Sequence, residues 1–327
     1  MHSRGNALRL VGLAPLVVLI VLASAMLGPS RIGLDDIFGS GGGSNAFWLH
    51  RFPRTLLAAL TGAGLAVGGV VFQALFRNPL ATPYTLGIDS GAALGAAIGF
   101  LLNFGGYWLG VPRLTLLALA GATIATAAVL LIAGRHSTRD LTRLLLAGVC
   151  VAYLSSAGLM LTAILAGRGI TQEIAVWMMG SLAVLSPTAS MYVGVALAVV
   201  LTFALASHRA LDLLAQSDQL AAARGVDVGR TIWISLALVS VLTAVIVGHC
   251  GPIGFVGLIV PHLARLTVGP RSLAQLLASA LIGAAFLAVC DAISRSVSIY
   301  DPPVGILTNI LGAMFFFYLL ASRTRAT

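Results

Sequence analysis

Ser90, within the triplet Asp89-Ser90-Gly91, and His249 could serve as nucleophile and base of a peptidase buried in a membrane. The triplet alone is a weak signal, and no paired-histidine metal motif accompanies it. His249 and His262 flank the run that begins Gly251-Pro252, where an imidazole could bind iron. Asp89, Glu173 and Asp291 could titrate in apolar surroundings, as the carboxylates of a proton-driven transporter do. Cys150, Cys250 and Cys290 stand singly, without metal-ligand spacing, and read as small buried hydrophobes. All 19 basic residues are arginine. A P-loop needs a lysine to reach nucleotide phosphates, and a Schiff-base enzyme needs a lysine amine, so both are excluded. If ATP drives this protein, another chain hydrolyses it.

The elements that must position these groups are apolar. The chain is 59% hydrophobic and 9% charged, with a mean hydropathy of +1.02. A soluble domain carries about 25% charged residues, so lipid is the main solvent here. A span takes about 20 apolar residues, and about ten spans fit if the loops are short. No large soluble domain remains to be placed, and residues 1–327 are expected to form a single transmembrane domain. Apolar runs at 10–27, 55–76, 84–104, 114–133, 144–166, 190–206, 231–249, 253–268, 274–292 and 303–321 predict an all-α polytopic membrane protein. Helices satisfy their own backbone groups in lipid. The first run follows Arg4 and Arg9 as a signal peptide would, but its length marks it as a span. The eighth is short and glycine-rich, and is expected to be broken or partly buried in protein. The positive-inside rule places both termini in the cytoplasm, with Arg77, Arg209 and Arg224 inside and Arg51, Arg54 and Arg295 in the outer minority. The net charge of +9 is thereby a topology signal, not a nucleic-acid signal.

Two turn-rich runs punctuate the segments, Gln73 to Gly87 and Gly251 to His262. The turns at Asn78-Pro79 and Gly251-Pro252 could mark two related halves, as in many transporters. The spacings Gly62/Ala66, Gly64/Gly68 and Gly87/Gly91/Gly95 let helix backbones approach closely. The longest inside loop, about 208–230, predicts two short helices at the membrane surface. Leu211, Leu214 and Ala215 fall on one helical face, and Gly225 can end a helix after Arg224. Such a ridge could dock a soluble partner or be an ordinary amphipathic surface helix. Asp89, near the inner end of the third segment, could line a path, pair with an arginine such as Arg77, or cap the helix behind Thr85-Leu86-Gly87.

The chain resembles the membrane subunit of binding-protein-dependent ABC importers for iron chelates, haem and cobalamin, the iron-complex permease family. The resemblance rests on Arg51-Phe52-Pro53-Arg54, the run Gln73 to Gly91, Trp177-Met178-Met179-Gly180-Ser181-Leu182, the run Gly251 to Arg265, Asp291-Ala292-Ile293-Ser294-Arg295 and Pro303-Val304-Gly305-Ile306-Leu307-Thr308. These motifs occur in order along nearly the whole chain. The resemblance implies a type II importer permease in the bacterial inner membrane, a homodimer of ten-helix subunits with its path on the dimer axis. Its partners would be a second copy of itself, two cytoplasmic ATPase subunits that bind ATP and magnesium, a periplasmic substrate-binding protein and the lipid bilayer. No cofactor, metal or nucleic acid is expected in this chain, and no catalytic residue.

By the same resemblance, Arg51, Arg54 and Arg295 would receive acidic side chains of the binding protein. Membrane-interface anchoring, or pairing with local acids such as Asp291 and Asp301, is the alternative. Leu211, Leu214, Asp218, Ala222, Arg224 and Gly225 would couple to the ATPase. Thr142, Asp140 and Gln73 would line the path or its cytoplasmic gate, although Asp140 and Arg143 could instead form a helix-start ion pair; Asp89, a further path candidate, stands where the family usually has a small residue. Asn78, Pro79, Gly251, Pro252, Pro261 and His262 would form the hinges. His262 is expected to be structural, because its Pro-His motif accompanies chemically different substrates.

Two departures stand out. The family often has a glutamate shortly before Pro-Val-Gly, where this chain has Asp301. It often has Gly-Ala-Pro near the last helix, where this chain has Gly312-Ala313-Met314, losing a kink-prone proline. The expected cargo is an iron–siderophore, with haem and cobalamin as alternatives, moved from periplasm to cytoplasm by ATP-driven alternating access. The rival is a proton-coupled secondary transporter, which would give the 211–226 loop no task.

Overall fold

The computed structural model describes residues 2–28, 47–108, 111–133, 141–183, 187–297 and 301–323. In chain order its helices are α1 (His2–Met26), α2 (Phe52–Phe76), α3 (Ile88–Leu101), α4 (Arg113–Ala133), α5 (Leu141–Met178) and α6 (Pro187–Ala206). Two short helices follow, α7 (His208–Leu214) and α8 (Asp218–Ala223), then α9 (Val228–Cys250), α10 (Val256–Val268), α11 (Ser272–Val297) and α12 (Val304–Arg323). Strands β1 (Tyr107–Trp108) and β2 (Val111–Pro112) pair antiparallel ahead of α4, with Tyr107 opposite Pro112.

Every apolar run expected from the sequence contains a helix. Among the described residues, seven helices are long and apolar enough to cross a membrane. Three further apolar stretches are shorter, at Ile88–Leu101, Val256–Val268 and Val304–Leu319, so length alone does not yield ten spans. Two of these short helices have a common cause. A separate tight turn, Pro83–Leu86, precedes α3 and ends at left-handed Gly87 (φ 72°). Non-helical backbone from Gly251 to Phe255 precedes α10. Irregular backbone at membrane depth survives only where protein buries it. The third segment accordingly turns helical at Ile88, later than its hydropathy predicts. The fifth runs longer than predicted: α5 is interrupted at Gly167 (φ 77°, ψ 178°) and resumes as far as Met178.

Helix α2 is buried over most of its length. A Cβ added to Gly62 would lie 2.1 Å from the Gly283 carbonyl oxygen of α11, and one added to Gly69 would lie 1.9 Å from the Gly257 oxygen of α10. A Cβ on Gly95 of α3 would lie 2.2 Å from the Leu117 oxygen of α4. These helices therefore touch through their backbones. In lipid, where apolar side chains gain nothing by leaving the solvent, such van der Waals contact is what holds helices together. Tyr153, Leu154, Ile164 and Leu165 of α5 are exposed, an apolar surface suited to lipid.

Helices α2 and α11 run antiparallel and define two ends of the bundle. At one end the start of α2 meets the end of α11 through Arg54 and Asp291. At the other, the end of α2 and the start of α11 both contact the short helix α7, through Arg77 and Ser272.

Candidate functional site

At the first end the three arginines singled out from the sequence come together, but they do not stand free at a rim. Arg51 and Arg295 are only 8% and 6% exposed. Arg51 Nη1 donates to the Met26 carbonyl at 3.0 Å. Arg54 Nε donates to Asp291 Oδ1 at 2.9 Å, while Nη1 and Nη2 donate to the two oxygens of Asp301 at 2.5 and 2.9 Å. Arg295 Nε lies 3.0 Å from Asp291 Oδ2. Its Nη2 donates to the Ser24 carbonyl at 3.2 Å and to Thr55 Oγ1 at 3.4 Å. Asp291 is fully buried between two guanidinium groups. Pairing with local acids is thus the arrangement present. Its physical reason is the cost of an uncompensated guanidinium between apolar helices. Three cations and two anions leave one formal positive charge on the cluster.

At the opposite end the two predicted short helices are present. Ser217 caps α8 by accepting from the Gln219 and Leu220 N–H groups, and left-handed Gly225 (φ 80°) follows its end. The predicted docking face needs correction. Leu211 and Leu214 are buried in the core, so they cannot touch a partner; they fasten the ridge from below. Asp218 pairs with Arg77, whose Nε also donates to the Leu214 carbonyl at 2.9 Å. Asp212 accepts from the Ser272 N–H at 2.8 Å, fixing α7 to the start of α11. Ala215, Gln216 and Gln219 face outward, as do Ala222, Ala223, Arg224 and Gly225.

One of the expectations for Asp89 needs correction: Arg77 is engaged with Asp218 and not with Asp89. Asp89 lies in the first turn of α3, whose N-cap residue is Gly87. Ser90 Oγ donates to the Asp89 carboxylate at 3.5 Å. Thr142 is exposed on the first turn of α5, and Asp140 lies outside the described residues. Gln73 is buried and tethered: Oε1 accepts from Arg265 Nη2 at 3.1 Å, and Nε2 donates to the Gly257 carbonyl at 3.5 Å. With Arg77, Asn78, Pro79 and Arg265 it lines a cavity of about 210 Å³.

The hinge motifs converge. Asn78 closes its own turn, its carbonyl accepting from Ala81 N–H at 3.0 Å and its Oδ1 from Leu80 N–H at 2.9 Å. The Tyr84 hydroxyl reaches Ile253, linking the first turn-rich run to the second. Beside it, Gly180 and Gly251 lie back to back, both at positive φ (70° and 68°). A Cβ on Gly180 would meet the Pro252 oxygen at 2.4 Å, and one on Gly251 the Trp177 oxygen at 2.4 Å. Only glycine combines that conformation with that proximity. Ser181 N–H donates to the Cys250 carbonyl at 2.7 Å, and Gly305 N–H to the Gly180 carbonyl at 3.3 Å. Pro261 contributes its carbonyl to Gln275 at 3.3 Å, and the His262 ring packs edge-on against Phe315 at 5.6 Å.

Next to this junction lies a cavity of about 670 Å³, with Phe100, Gln172, Glu173, Trp177, Ser181 and His249 among its lining residues. His249 Nδ1 donates to the Val245 carbonyl at 2.9 Å, and its ring lies 5.8 Å from that of Tyr192. Sequence reading missed Phe100 and Gln172 here. Hydropathy falls at Gly167-Arg168-Gly169, so the apolar run ends at 166 and the helical stretch bearing Gln172 and Glu173 lies beyond it. The Trp177 motif was the available signal. The hydrogen bonds of Ser90 and His249 go to Asp89 and Val245, so the two do not form a nucleophile–base pair.

Comparison with known proteins agrees with this architecture. Residues 16–322 match the model of the FecCD transport family. Over 84% of this chain and 72% of its own length, a cobalamin import system permease protein BtuC of Halobacterium salinarum is 40% identical. A probable iron chelatin transport system permease protein of Helicobacter pylori is 38% identical over 84% of this chain and 82% of its own. The vitamin B12 import system permease protein BtuC of Salmonella typhi is 36% identical over 99% of this chain and 98% of its own. A solved structure described as a metal-chelate type ABC transporter, inward-facing, superposes with a TM-score of 0.86 at 30% identity, covering 97% of this chain and 99% of that one.

Proposed function

The chain belongs to the FecCD transport family, and on that premise we propose that it is the inner-membrane permease subunit of an ABC importer that moves a metal chelate from periplasm to cytoplasm. It works as a homodimer with both termini cytoplasmic, and it performs no covalent chemistry. Two ATPase subunits bind ATP and magnesium and dock on the exposed ridge Ala222–Gly225. A periplasmic binding protein docks over the arginine cluster, where guanidinium groups suit carboxylate partners. The observation that carries this reading is the construction of the ridge: a small exposed surface bolted from beneath by Leu211, Leu214 and two polar ties, Arg77–Asp218 and Asp212–Ser272. A rigid ridge transmits a push from a soluble partner; a floppy surface helix would absorb it.

Movement then passes along α2 and α11 to the hinge junction. There α5, α9, α10 and α12 meet through glycine backbones and Tyr84, beside the large cavity. A loaded binding protein shifts the balance between outward- and inward-open states only by binding one of them better. Among the relatives, the names include cobalamin and iron chelatin, so several chelates are candidates. A ferric siderophore is the first to try. The aromatic walls Phe100 and Trp177, with Gln172, Glu173 and His249, suit a bulky cargo carrying polar groups.

The test is ATP hydrolysis in liposomes by this chain with the ATPase and binding protein encoded beside it. The panel covers ferric siderophores, haem and cobalamin. One loaded binding protein should stimulate hydrolysis and cargo uptake together. Uptake driven by a proton gradient with no ATPase present would overturn the proposal.

A further inference from the structure

Asp301 is placed unlike the other members of the arginine cluster. The side chain of Asp291 is 0% exposed and that of Arg54 14%, but that of Asp301 is 38% exposed. It lies on the outer face of the cluster and covers the fork of Arg54, contacting both Nη1 and Nη2. Nε and Nη2 of the same guanidinium are also held by Asp291. A guanidinium has five N–H donors in a fixed plane. With both carboxylates in place, no two-pronged face of Arg54 remains for a third.

We propose that Asp301 is an internal stand-in for a partner's carboxylate, and that docking at this end proceeds by exchange on Arg54. The exchange rests on the docking role proposed above for the arginine cluster. Asp291 cannot be the group that leaves, because it is buried and shared with Arg295. Asp301 can, because solvent receives it and its loop has a second anchor, Ser294 Oγ donating to the Pro302 carbonyl. Its backbone is left-handed (φ 47°), a conformation that Asp and Asn tolerate but that adds to the cost of staying. While Asp301 is bound the cluster carries one formal positive charge; when it leaves, the charge rises by one, and an incoming carboxylate restores it. The partner's contact is thus an acidic side chain able to bridge Nη1 and Nη2, and its affinity reads the difference between two carboxylates. A hydrophobic or basic contact would gain nothing from the exchange.

The experiment uses the complete importer, this chain with its ATPase, in lipid nanodiscs. The probe is the binding protein encoded beside it, and the readout is its Kd. Asp301→Asn keeps the left-handed backbone and removes the charge; Asp301→Gly removes the carboxylate and relaxes the backbone. Both should tighten docking about tenfold, and both effects should vanish in an Arg54→Gln background. Asp301→Glu should stay near wild type. If Arg54→Gln weakens docking but neither Asp301 variant tightens it, the exchange is wrong and the docking surface stands. If Arg54→Gln leaves docking unchanged, the docking surface is wrong and the exchange falls with it.

Discussion

Tyr84 and Ile253 are bonded twice through one hydroxyl: it donates to the Ile253 carbonyl at 3.1 Å and accepts from the Ile253 N–H at 3.3 Å. A single oxygen thereby serves both backbone polar groups of one residue in a stretch that has no helix to satisfy them. The two partners lie 169 residues apart, one in each turn-rich run.

Tyr84→Phe should therefore cost more than one ordinary hydrogen bond. It leaves a buried donor and a buried acceptor unpaired, at about 1–3 kcal/mol per group. The expected result is a lower melting temperature in nanodiscs and weaker stimulation of ATP hydrolysis by loaded binding protein. An unchanged melting curve would show that the link is dispensable.

Gly62→Ala should disrupt the crossing of α2 and α11, where the new Cβ would stand 2.1 Å from a backbone oxygen. Overpacking of this kind costs about 1–3 kcal/mol or more. Gly194→Ala is the matched control: its Cβ would rest at 3.5 Å from Leu60, an ordinary contact. Monodisperse yield should fall for the first variant and hold for the second. Equal behaviour of the pair would refute backbone contact as the packing principle.

Asp291→Asn should destabilise far more than Asp301→Asn, although both carboxylates bind Arg54. Removing the fully buried partner strands two guanidiniums, a change worth about 3–5 kcal/mol. Thermal melts of the two variants settle the ranking, and a larger loss for Asp301→Asn would reverse the assignment of inner and outer carboxylate.

Ala222→Arg and Leu214→Ala should fail in different ways. The first puts bulk on the exposed ridge, so the ATPase should no longer copurify while the melting temperature holds. The second empties a core site, at about 2–5 kcal/mol, and should lower the melting temperature. Retention of the ATPase by Ala222→Arg would move the coupling surface elsewhere.

The position of every apolar helix was legible in the sequence, because lipid makes hydropathy and helix nearly the same signal. Helix ends were less so. Ile88 and Gly167 mark places where a turn or a glycine interrupts an apolar or amphipathic run, and hydropathy cannot see backbone angles. The arginine motifs were legible as a group and their pairing with Asp291 and Asp301 as one of two alternatives, but which acid lies inside and which outside was not. Asp291 and Asp301 are distant in sequence from Arg54, and only the antiparallel course of α2 and α11 brings them together. Leu211 and Leu214 were assigned to the right helix and the wrong side of it. A short amphipathic helix shows which residues share a face, not whether that face meets its own protein or another's.

The glycine junction imposes an order on the making of this protein. The Ser181 N–H pairs with the Cys250 carbonyl and the Gly180 carbonyl with the Gly305 N–H, so this junction in the middle of the chain is completed only when α12 is synthesised. At roughly 5–20 residues per second the ribosome needs on the order of ten seconds to travel from Gly180 to Gly305. For that interval the Gly180 carbonyl lacks the partner it has in the folded protein. A nascent chain cut short before Pro303 would thus be damaged at its centre as well as at its end, and cellular quality control could detect the missing final helix by the gap it leaves there.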